Sequence, residues 1–137
     1  MSTLDWSGFD ARDFHANGIT VRARLSSDWH TPRPVLVLQH GFPQTHAMWR
    51  RVAQALNPHF RLLLPDLRGY GDSSRLPGQP DHAQASKRAM AQDLVALMDT
   101  LGVERFLLCG HDRGGRMAHR LALDHPGRVE KLCLIDI

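Results

Sequence analysis

The stretch GHDRGGR, residues 110–116, combines one carboxylate with two guanidinium groups. It follows the apolar run RFLLC and opens a segment with helical spacing, which predicts that Asp112 lies on a sharp turn between a strand and a helix. A carboxylate there is stabilised by unpaired amides and the helix dipole, and Arg113 and Arg116 add positive charge, so we expect Asp112 to be ionised. An ionised carboxylate needs no base to act as a nucleophile, and it suits displacement of an anionic leaving group from a saturated carbon.

A purely structural role for Asp112 fits the same residues. Its carboxylate could cap the following helix and pair with Arg116 one turn further on. Two other motifs bear on the choice, because HGFPQTHAMWR (40–50) and DLRGYGDS (66–73) also follow apolar runs. Three polar motifs therefore come directly after three successive predicted strands.

The elements that must position these motifs alternate between strands and helices. Asn17-Gly18 joins two extended runs and predicts a hairpin. The continuous apolar runs 34–39 and 60–66 are typical of strands covered on both faces. A helix is expected from about Thr45 to Leu56, and the apolar residues expected on one side of it are Met48, Val52, Ala55 and Leu56.

The second half of the chain repeats this alternation. Apolar residues at spacings of three and four predict a long helix over 84–101, and Gly102 stands where a C-terminal cap belongs. RFLLCG reads as a strand, RGGRMAHRLALD as a helix that Pro126 stops, and KLCLIDI as another strand. Strands separated by helices predict a mostly parallel sheet with helices on both faces.

Composition narrows the function classes. The 137 residues allow one domain with a substantial core, and 42% apolar and 23% charged residues are typical of a soluble globular protein. No apolar run reaches the ~18 residues of a membrane span, and the acidic N-terminus lacks the apolar core of a secretory signal, so we expect a cytoplasmic protein. The net charge of +3 is scattered, which argues against nucleic-acid binding.

Cysteine and histidine usage predicts neither a disulfide nor a metal site. Cys109 and Cys133 fall in apolar runs and are expected to be buried, reduced thiols. The nine histidines form no CxxC-type or HExxH pattern, and His40 and His46 are separated by a glycine and a proline. The sequence has neither a dinucleotide fingerprint nor a phosphate loop, and we expect no cofactor.

With three motifs in this order, the chain resembles the α/β-hydrolase superfamily, in which a G-x-S-x-G turn usually carries a serine nucleophile. Within it the chain is most similar to the haloacetate dehalogenases, which include fluoroacetate dehalogenases. Their H-D-R-G-x-R turn is matched by residues 111–116, and HGFPQTH is similarly close. The resemblance implies an α/β-hydrolase fold. It also implies that residues 1–137 are the N-terminal part of one domain, ending after about the sixth strand and before the cap and the last strands.

The resemblance also implies roles for individual residues. Asp112 would attack the halogen-bearing carbon, and Arg113 and Arg116 would hold the carboxylate of a haloacid substrate. The backbone amides of Phe42 and Arg113 would form the oxyanion hole, and Asp136 would orient the catalytic histidine. The family's full-length form also allows a homodimer.

Other polar and aromatic residues are given lesser roles. His40 and Gly41 are expected to shape the turn after the third strand, and Tyr70 and Trp49 to line the pocket or pack in the core. The histidines expected to be structural are His111, His119 and His125.

The general base is missing from the expected set. In the resembled family it is a histidine near the C-terminus, and the halide-binding cap also lies beyond these residues. We therefore expect little or no turnover from the 137 residues alone, with an exposed apolar edge at the last strand. A partial reading frame, a truncated gene and a chain that needs a complementing partner would all fit.

Two alternatives stay open. An epoxide hydrolase shares the aspartate nucleophile and the HGFP-type turn, but an epoxide has no carboxylate for Arg113 and Arg116 to hold. A non-catalytic fragment or interaction module would explain the absent base, although Asp112, the arginines and the turn are all present.

Overall fold

The computed structural model describes residues 6–74 and 86–137. Within them, six strands form one sheet in the order β1-β2-β4-β3-β5-β6. The strands are β1 (Phe9–Ala16), β2 (Ile19–Ser26), β3 (Val35–Gln39), β4 (Arg61–Pro65), β5 (Phe106–His111) and β6 (Val129–Ile135). The helices are a 3₁₀ turn (His46–Trp49), α1 (Arg50–Leu56), α2 (Lys87–Thr100) and α3 (Arg113–Asp124).

The sheet is parallel from β4 through β3 and β5 to β6, and β1 and β2 are added antiparallel beside β4. Asn17 and Gly18 both have positive φ, 54° and 77°, as the two-residue turn of a β-hairpin requires. The predicted hairpin and the predicted mostly parallel α/β arrangement are confirmed.

Helices cover both faces of the sheet. Successive strand residues point to opposite faces, and in β4 Leu63 belongs to the core formed with α2 and α3. Its neighbours Leu62 and Leu64 instead pack with Trp49 and Ala53 on the opposite face. The continuous apolar runs of β3 and β4 are therefore explained, because both of their faces are buried.

The predicted inner face of the first helical segment is wrong. Met48 and Val52 are exposed, and the buried residues are Trp49 and Ala53. The segment begins as a 3₁₀ turn and continues as an α-helix. The buried Trp49 and Ala53 and the partly buried Leu56 are spaced by four and three, so one helical period does describe the buried side, and the prediction placed it one residue too early, at Met48 and Val52.

Residues next to the two ends of α2 explain where this helix begins and ends. The Ser86 side chain caps the helix by accepting a hydrogen bond from the Ala89 N–H at 3.0 Å. Gly102, with φ 72°, directly follows Leu101, the C-cap residue of α2, as expected. Residues 84 and 85 of the predicted helix lie outside the described residues.

The last strand differs from the others in burial. Cys109 on β5 is buried as expected, but the expectation for Cys133 is wrong, because this thiol is exposed. The two cysteines are register partners in the parallel pair β5–β6. Cys133 is exposed because β6 lies at the edge of the sheet and has a strand neighbour on one side only.

None of the helices in residues 6–74 and 86–137 combines the length and apolar character that a membrane crossing requires.

Candidate active site

Asp112 occupies a sharp turn between β5 and α3, as the sequence predicts. Its backbone has φ 53° and ψ −116°, a conformation that a non-glycine residue rarely adopts. Such a residue costs of order 1–3 kcal/mol and persists only where its surroundings fix it. Here the Asp112 N–H donates to the carbonyl of Ile135 at 3.1 Å, and the Asp112 carbonyl accepts from the Arg116 N–H at 3.0 Å. The turn is therefore bonded to both β6 and α3.

Two glycines allow α3 to begin close against the sheet. A Cβ at Gly114 would overlap the backbone carbonyls of His40 and Gln39, and one at Gly110 would overlap the carbonyl of Gly114. A side chain at position 114 would push the start of α3 away from β3, and one at position 110 would push it away from β5. Glycine at 110 and 114 therefore brings Asp112 beside the turn that follows β3.

The 40–46 turn, residues His40–His46, meets Asp112 directly. A Cβ at Gly41 would lie 2.5 Å from the Asp112 Cβ, so only glycine fits there. The next backbone amide, the Phe42 N–H, donates to Asp112 Oδ2 at 3.0 Å. Gln44 N–H closes the turn on the Gly41 carbonyl at 2.8 Å, and the Phe42–Pro43 peptide bond is cis.

Backbone amides keep Asp112 ionised. Hydrogen bonds from the N–H groups of Phe42 and then Arg113 lower the pKa of Asp112 against the opposing effect of burial, and the positive charge of Arg116 makes a smaller contribution that also lowers it. Among the described residues, the strongest hydrogen bond of the Asp112 carboxylate comes from the Phe42 amide of the 40–46 turn. The Asp112 side chain makes no N-cap hydrogen bond to the interior of the first turn of α3, although the amide of the first helical residue, Arg113, also lowers its pKa.

Asp112 and two cations share an open cleft. Its volume is about 200 Å³, and Phe42, Asp112, Arg113 and Arg116 line it. The Arg113 guanidinium donates to the Tyr70 hydroxyl at 2.7 Å, and its central carbon lies 4.9 Å from the centre of the Phe42 ring. Arg113 is therefore held in place, whereas Arg116 is exposed.

Tyr70 and Trp49 were both expected either to line the pocket or to pack in the core, and the structure gives them different places. Tyr70 belongs to the site, since it holds Arg113 and packs edge-on against the rings of His40 and Phe42. Trp49 packs in the core with Leu38 and is only 5% exposed.

The remaining candidates lie around this cleft rather than in it. Asp136 follows β6 with φ 55° and is exposed. His40 is fully buried; its Nδ1 lies 3.0 Å from the Gly41 carbonyl, and its Nε2 accepts from the Leu67 N–H at 3.0 Å. These contacts fit the expected role of His40 in shaping the turn. His111 is half-buried beside Asp112, and His119 and His125 lie on and just after α3.

Sequence reasoning missed two features beside the site. Burial, followed by repulsion from Arg113 and Arg116, lowers the pKa of Lys87, which places a third cation close to this pair. Asp66 is buried at the end of β4 and accepts hydrogen bonds from the backbone N–H and Nδ1 of His46, both at 2.8 Å. The available signal for Asp66 was a carboxylate directly after a buried strand, in the motif DLRGYGDS.

Among residues 6–74 and 86–137, no three His, Cys, Asp or Glu side chains are grouped so that they could hold a metal ion.

Known proteins match this chain over most of its length. A family model described as alpha/beta hydrolase fold matches residues 34–137. Fluoroacetate dehalogenase from Burkholderia sp is 48% identical over 96% of the chain and 42% of its own length. Soluble epoxide hydrolase from Corynebacterium sp. (strain C12) is 41% identical over 74% of the chain and 34% of its own.

A solved structure shows the same arrangement of elements. It is that of a candidate alpha/beta hydrolase from Nostoc sp PCC 7120, which superposes with a TM-score of 0.91 at 46% identity. The match covers 97% of this chain and 44% of that one. The chain therefore spans less than half the length of these relatives.

Proposed function

We propose that this chain, which belongs to the alpha/beta hydrolase family, acts on a 2-haloacid and displaces its halide with the carboxylate of Asp112. The observation that carries the proposal is one cleft that contains an ionised carboxylate beside Arg113 and Arg116. The identity to a fluoroacetate dehalogenase supports it.

The arginines give the cleft a preference for an anion. A 2-haloacid carries a carboxylate on the carbon to be attacked, and this carboxylate would repel the Asp112 anion if nothing neutralised it. A guanidinium presents parallel N–H donors that match a carboxylate. In the proposed complex, Arg113 and Arg116 hold the substrate carboxylate and leave its neighbouring carbon in front of Asp112.

The first step forms an ester with the enzyme. Because Asp112 Oδ2 accepts the Phe42 N–H, we assign the attack to Oδ1. A bond forms between Oδ1 and the substrate carbon, the carbon–halogen bond breaks, and the halide leaves with the bonding electron pair. No proton moves in this step, so it needs no general base.

The second step returns the carboxylate. Water adds to the Asp112 carbonyl carbon, and negative charge develops on the oxygen that faces the N–H groups of Phe42 and Arg113. Collapse breaks the carbonyl carbon–Oδ1 bond of the ester, so Oδ1 leaves with the 2-hydroxy acid and the water oxygen stays in Asp112. A general base, which by resemblance is a histidine oriented by Asp136, takes one proton from the water and returns it to the departing Oδ1, which becomes the hydroxyl of the product; the second proton of the water is released to solvent as the Asp112 carboxylate re-forms.

The test measures halide release and 2-hydroxy acid formation by the full protein, with fluoroacetate, chloroacetate and a small uncharged epoxide as substrates. The proposal expects both haloacids to react and Arg113→Met or Arg116→Met to weaken that reaction. Epoxide opening without halide release would favour the activity of the epoxide hydrolase relative instead. No reaction with any substrate, from a folded full protein, would favour a non-catalytic role.

A further inference from the structure

We propose that His46, Asp66 and Arg24 form a positioning relay that fixes the Phe42 amide against Asp112 without touching the cleft. The kinetic part of this inference rests on the function proposed above. The geometric part concerns only how the 40–46 turn is held.

The 40–46 turn is anchored at both ends on the loop that directly follows the neighbouring strand β4. At its start, buried His40 accepts the Leu67 N–H. At its end, the backbone N–H and the ring Nδ1 of His46 both lie 2.8 Å from Asp66 Oδ1. Phe42 lies between these two anchors, and its N–H is the group that reaches Asp112.

The Asp66 carboxylate is suited to hold the end of the 40–46 turn in place. It is 2% exposed, and its Oδ2 also accepts the Asp72 N–H at 3.2 Å. Burial raises the pKa of Asp66, but the hydrogen bonds from His46 and from the Asp72 amide outweigh that effect, and the pKa is lowered. Asp66 is therefore an anion that can only accept hydrogen bonds.

The neighbours of His46 define its protonation state. Because Asp66 only accepts, the His46 Nδ1 must carry a hydrogen and donate. On the other side of the ring, the Arg24 Nε donates to His46 Nε2 at 3.3 Å, so Nε2 must be unprotonated. The His46 ring is thus held between the Arg24 guanidinium and the Asp66 carboxylate, and it also lies 5.5 Å from the Trp6 ring.

The three residues of the relay lie outside the cleft that contains Asp112. Arg24, His46 and Asp66 are not among the residues that line the cleft, which are Phe42, Asp112, Arg113 and Arg116. Their effect on chemistry must therefore pass through the backbone of the 40–46 turn. They are positioning residues, and the quantity that they set is the strength of the hydrogen bond between Phe42 and Asp112.

A charge-neutral pair of variants isolates this effect in the full protein. His46→Ala removes both ring hydrogen bonds, whereas His46→Asn keeps an N–H donor close to the Nδ1 position. Carboxyl-carbon NMR gives the pKa of Asp112, and hydrogen exchange reports on the Phe42 amide. We expect His46→Ala to raise the pKa of Asp112 towards its ordinary value and to speed Phe42 exchange, with His46→Asn closer to the unmodified protein.

The Asp124 carboxyl is the internal control, since its pKa is lowered by Arg88 and Arg120 against an opposing effect of burial. It should not respond to either variant. Unchanged Asp112 pKa and Phe42 exchange in His46→Ala would overturn the inference, and so would equal changes in both variants.

Asp66→Asn is the second test of the relay, to be used if His46→Ala does not fold. Loss of a nearby negative charge would by itself lower the pKa of Asp112, whereas weaker anchoring of the turn raises it. A raised pKa with faster Phe42 exchange supports the relay. A lowered pKa with unchanged exchange contradicts it.

Kinetics extends the test to catalysis. Removing an oxyanion donor costs about 10²–10³-fold, so a displaced Phe42 amide should slow ester hydrolysis roughly tenfold or more. Capture of the haloacid should slow less, so the alkylated enzyme accumulates in His46→Ala. If the unmodified full protein does not react with haloacids, the proposed function fails, while the Asp112 pKa and Phe42 exchange still decide on the relay.

Discussion

Asp112 and Asp136 follow neighbouring parallel strands and both have a positive φ, 53° and 55°, yet their surroundings differ. Asp112 accepts a hydrogen bond from Phe42 and lies in a cleft with Arg113. Asp136 is exposed. A positive φ directly after a strand is therefore not sufficient to place a carboxylate in the cleft.

The difference comes from sheet order. β5 lies between β3 and β6, so the residue after it meets the turn that follows β3. β6 lies at the edge of the described sheet and has no second strand neighbour there. In the proposed mechanism, Asp112 captures the substrate, whereas Asp136 orients the base that activates water.

The largest expected effect separates the two carboxylates by step. Asp112→Asn should reduce capture of a haloacid by the full protein on the order of 10⁴-fold or more, because the nucleophile is lost. Asp136→Asn should reduce turnover by roughly 10⁴-fold through a poorly oriented base, with capture almost unchanged. Rapid-quench mass analysis of the alkylated protein measures both steps. Equal loss of capture in the two variants would show that the division by step is wrong.

A smaller effect is expected when a cation of the cleft is removed. Arg113→Met should lower kcat/KM for chloroacetate roughly 10- to 100-fold, since a hydrogen bond to a charged group contributes about 1.5–3 kcal/mol. Arg105→Met is the control, because Arg105 is exposed and pairs with Glu130 at 3.7 Å. A similar loss in both variants would contradict a specific role for Arg113.

The next largest effect is expected on the free energy of unfolding, when the packing of α3 against β3 behind Asp112 is disturbed. In Gly114→Ala, overlap with the carbonyls of His40 and Gln39 should lower the free energy of unfolding by about 1–3 kcal/mol, although alanine favours a helix by about 1 kcal/mol. Gly127→Ala adds a Cβ with nothing within 4 Å and should stay within about 0.5 kcal/mol. Denaturant titration of the full protein compares them, and a neutral Gly114→Ala would mean that α3 can move away from β3.

The smallest effect is expected at Tyr70. Tyr70→Phe removes the hydroxyl that accepts from Arg113, a loss of about 0.5–1.5 kcal/mol. KM for a haloacid should therefore rise a few-fold to tenfold, while kcat changes less, because Tyr70 orients a binding group. Steady-state kinetics checks this split, and a fall in kcat with KM unchanged would contradict it.

Sequence predicts this molecule well where the cause is local. The Asn17-Gly18 hairpin and the end of α2 at Gly102 depend on nearby backbone chemistry. The turn at Asp112 was likewise predictable, because glycines and charged residues mark it. The exposure of Met48 and Val52 was not, since the buried pair Trp49 and Ala53 has the same helical spacing one residue later.

Sequence does not predict contacts that depend on sheet order. His46 meets Asp66 only because β4 pairs with β3, and Arg24 meets His46 only because β2 pairs with β4. These residues lie 20 and 22 positions apart, and their types alone do not indicate a common site. The exposure of Cys133 is likewise a consequence of its place at the sheet edge.

The most direct test of the Asp112 mechanism is a single turnover of the full protein with chloroacetate in heavy-oxygen water. If Asp112 is the nucleophile, the hydroxyl oxygen of the product comes from the unlabelled carboxylate, and the heavy oxygen is found in the peptide that contains Asp112. Heavy oxygen in the product and none in Asp112 would show direct attack by water and would contradict the mechanism.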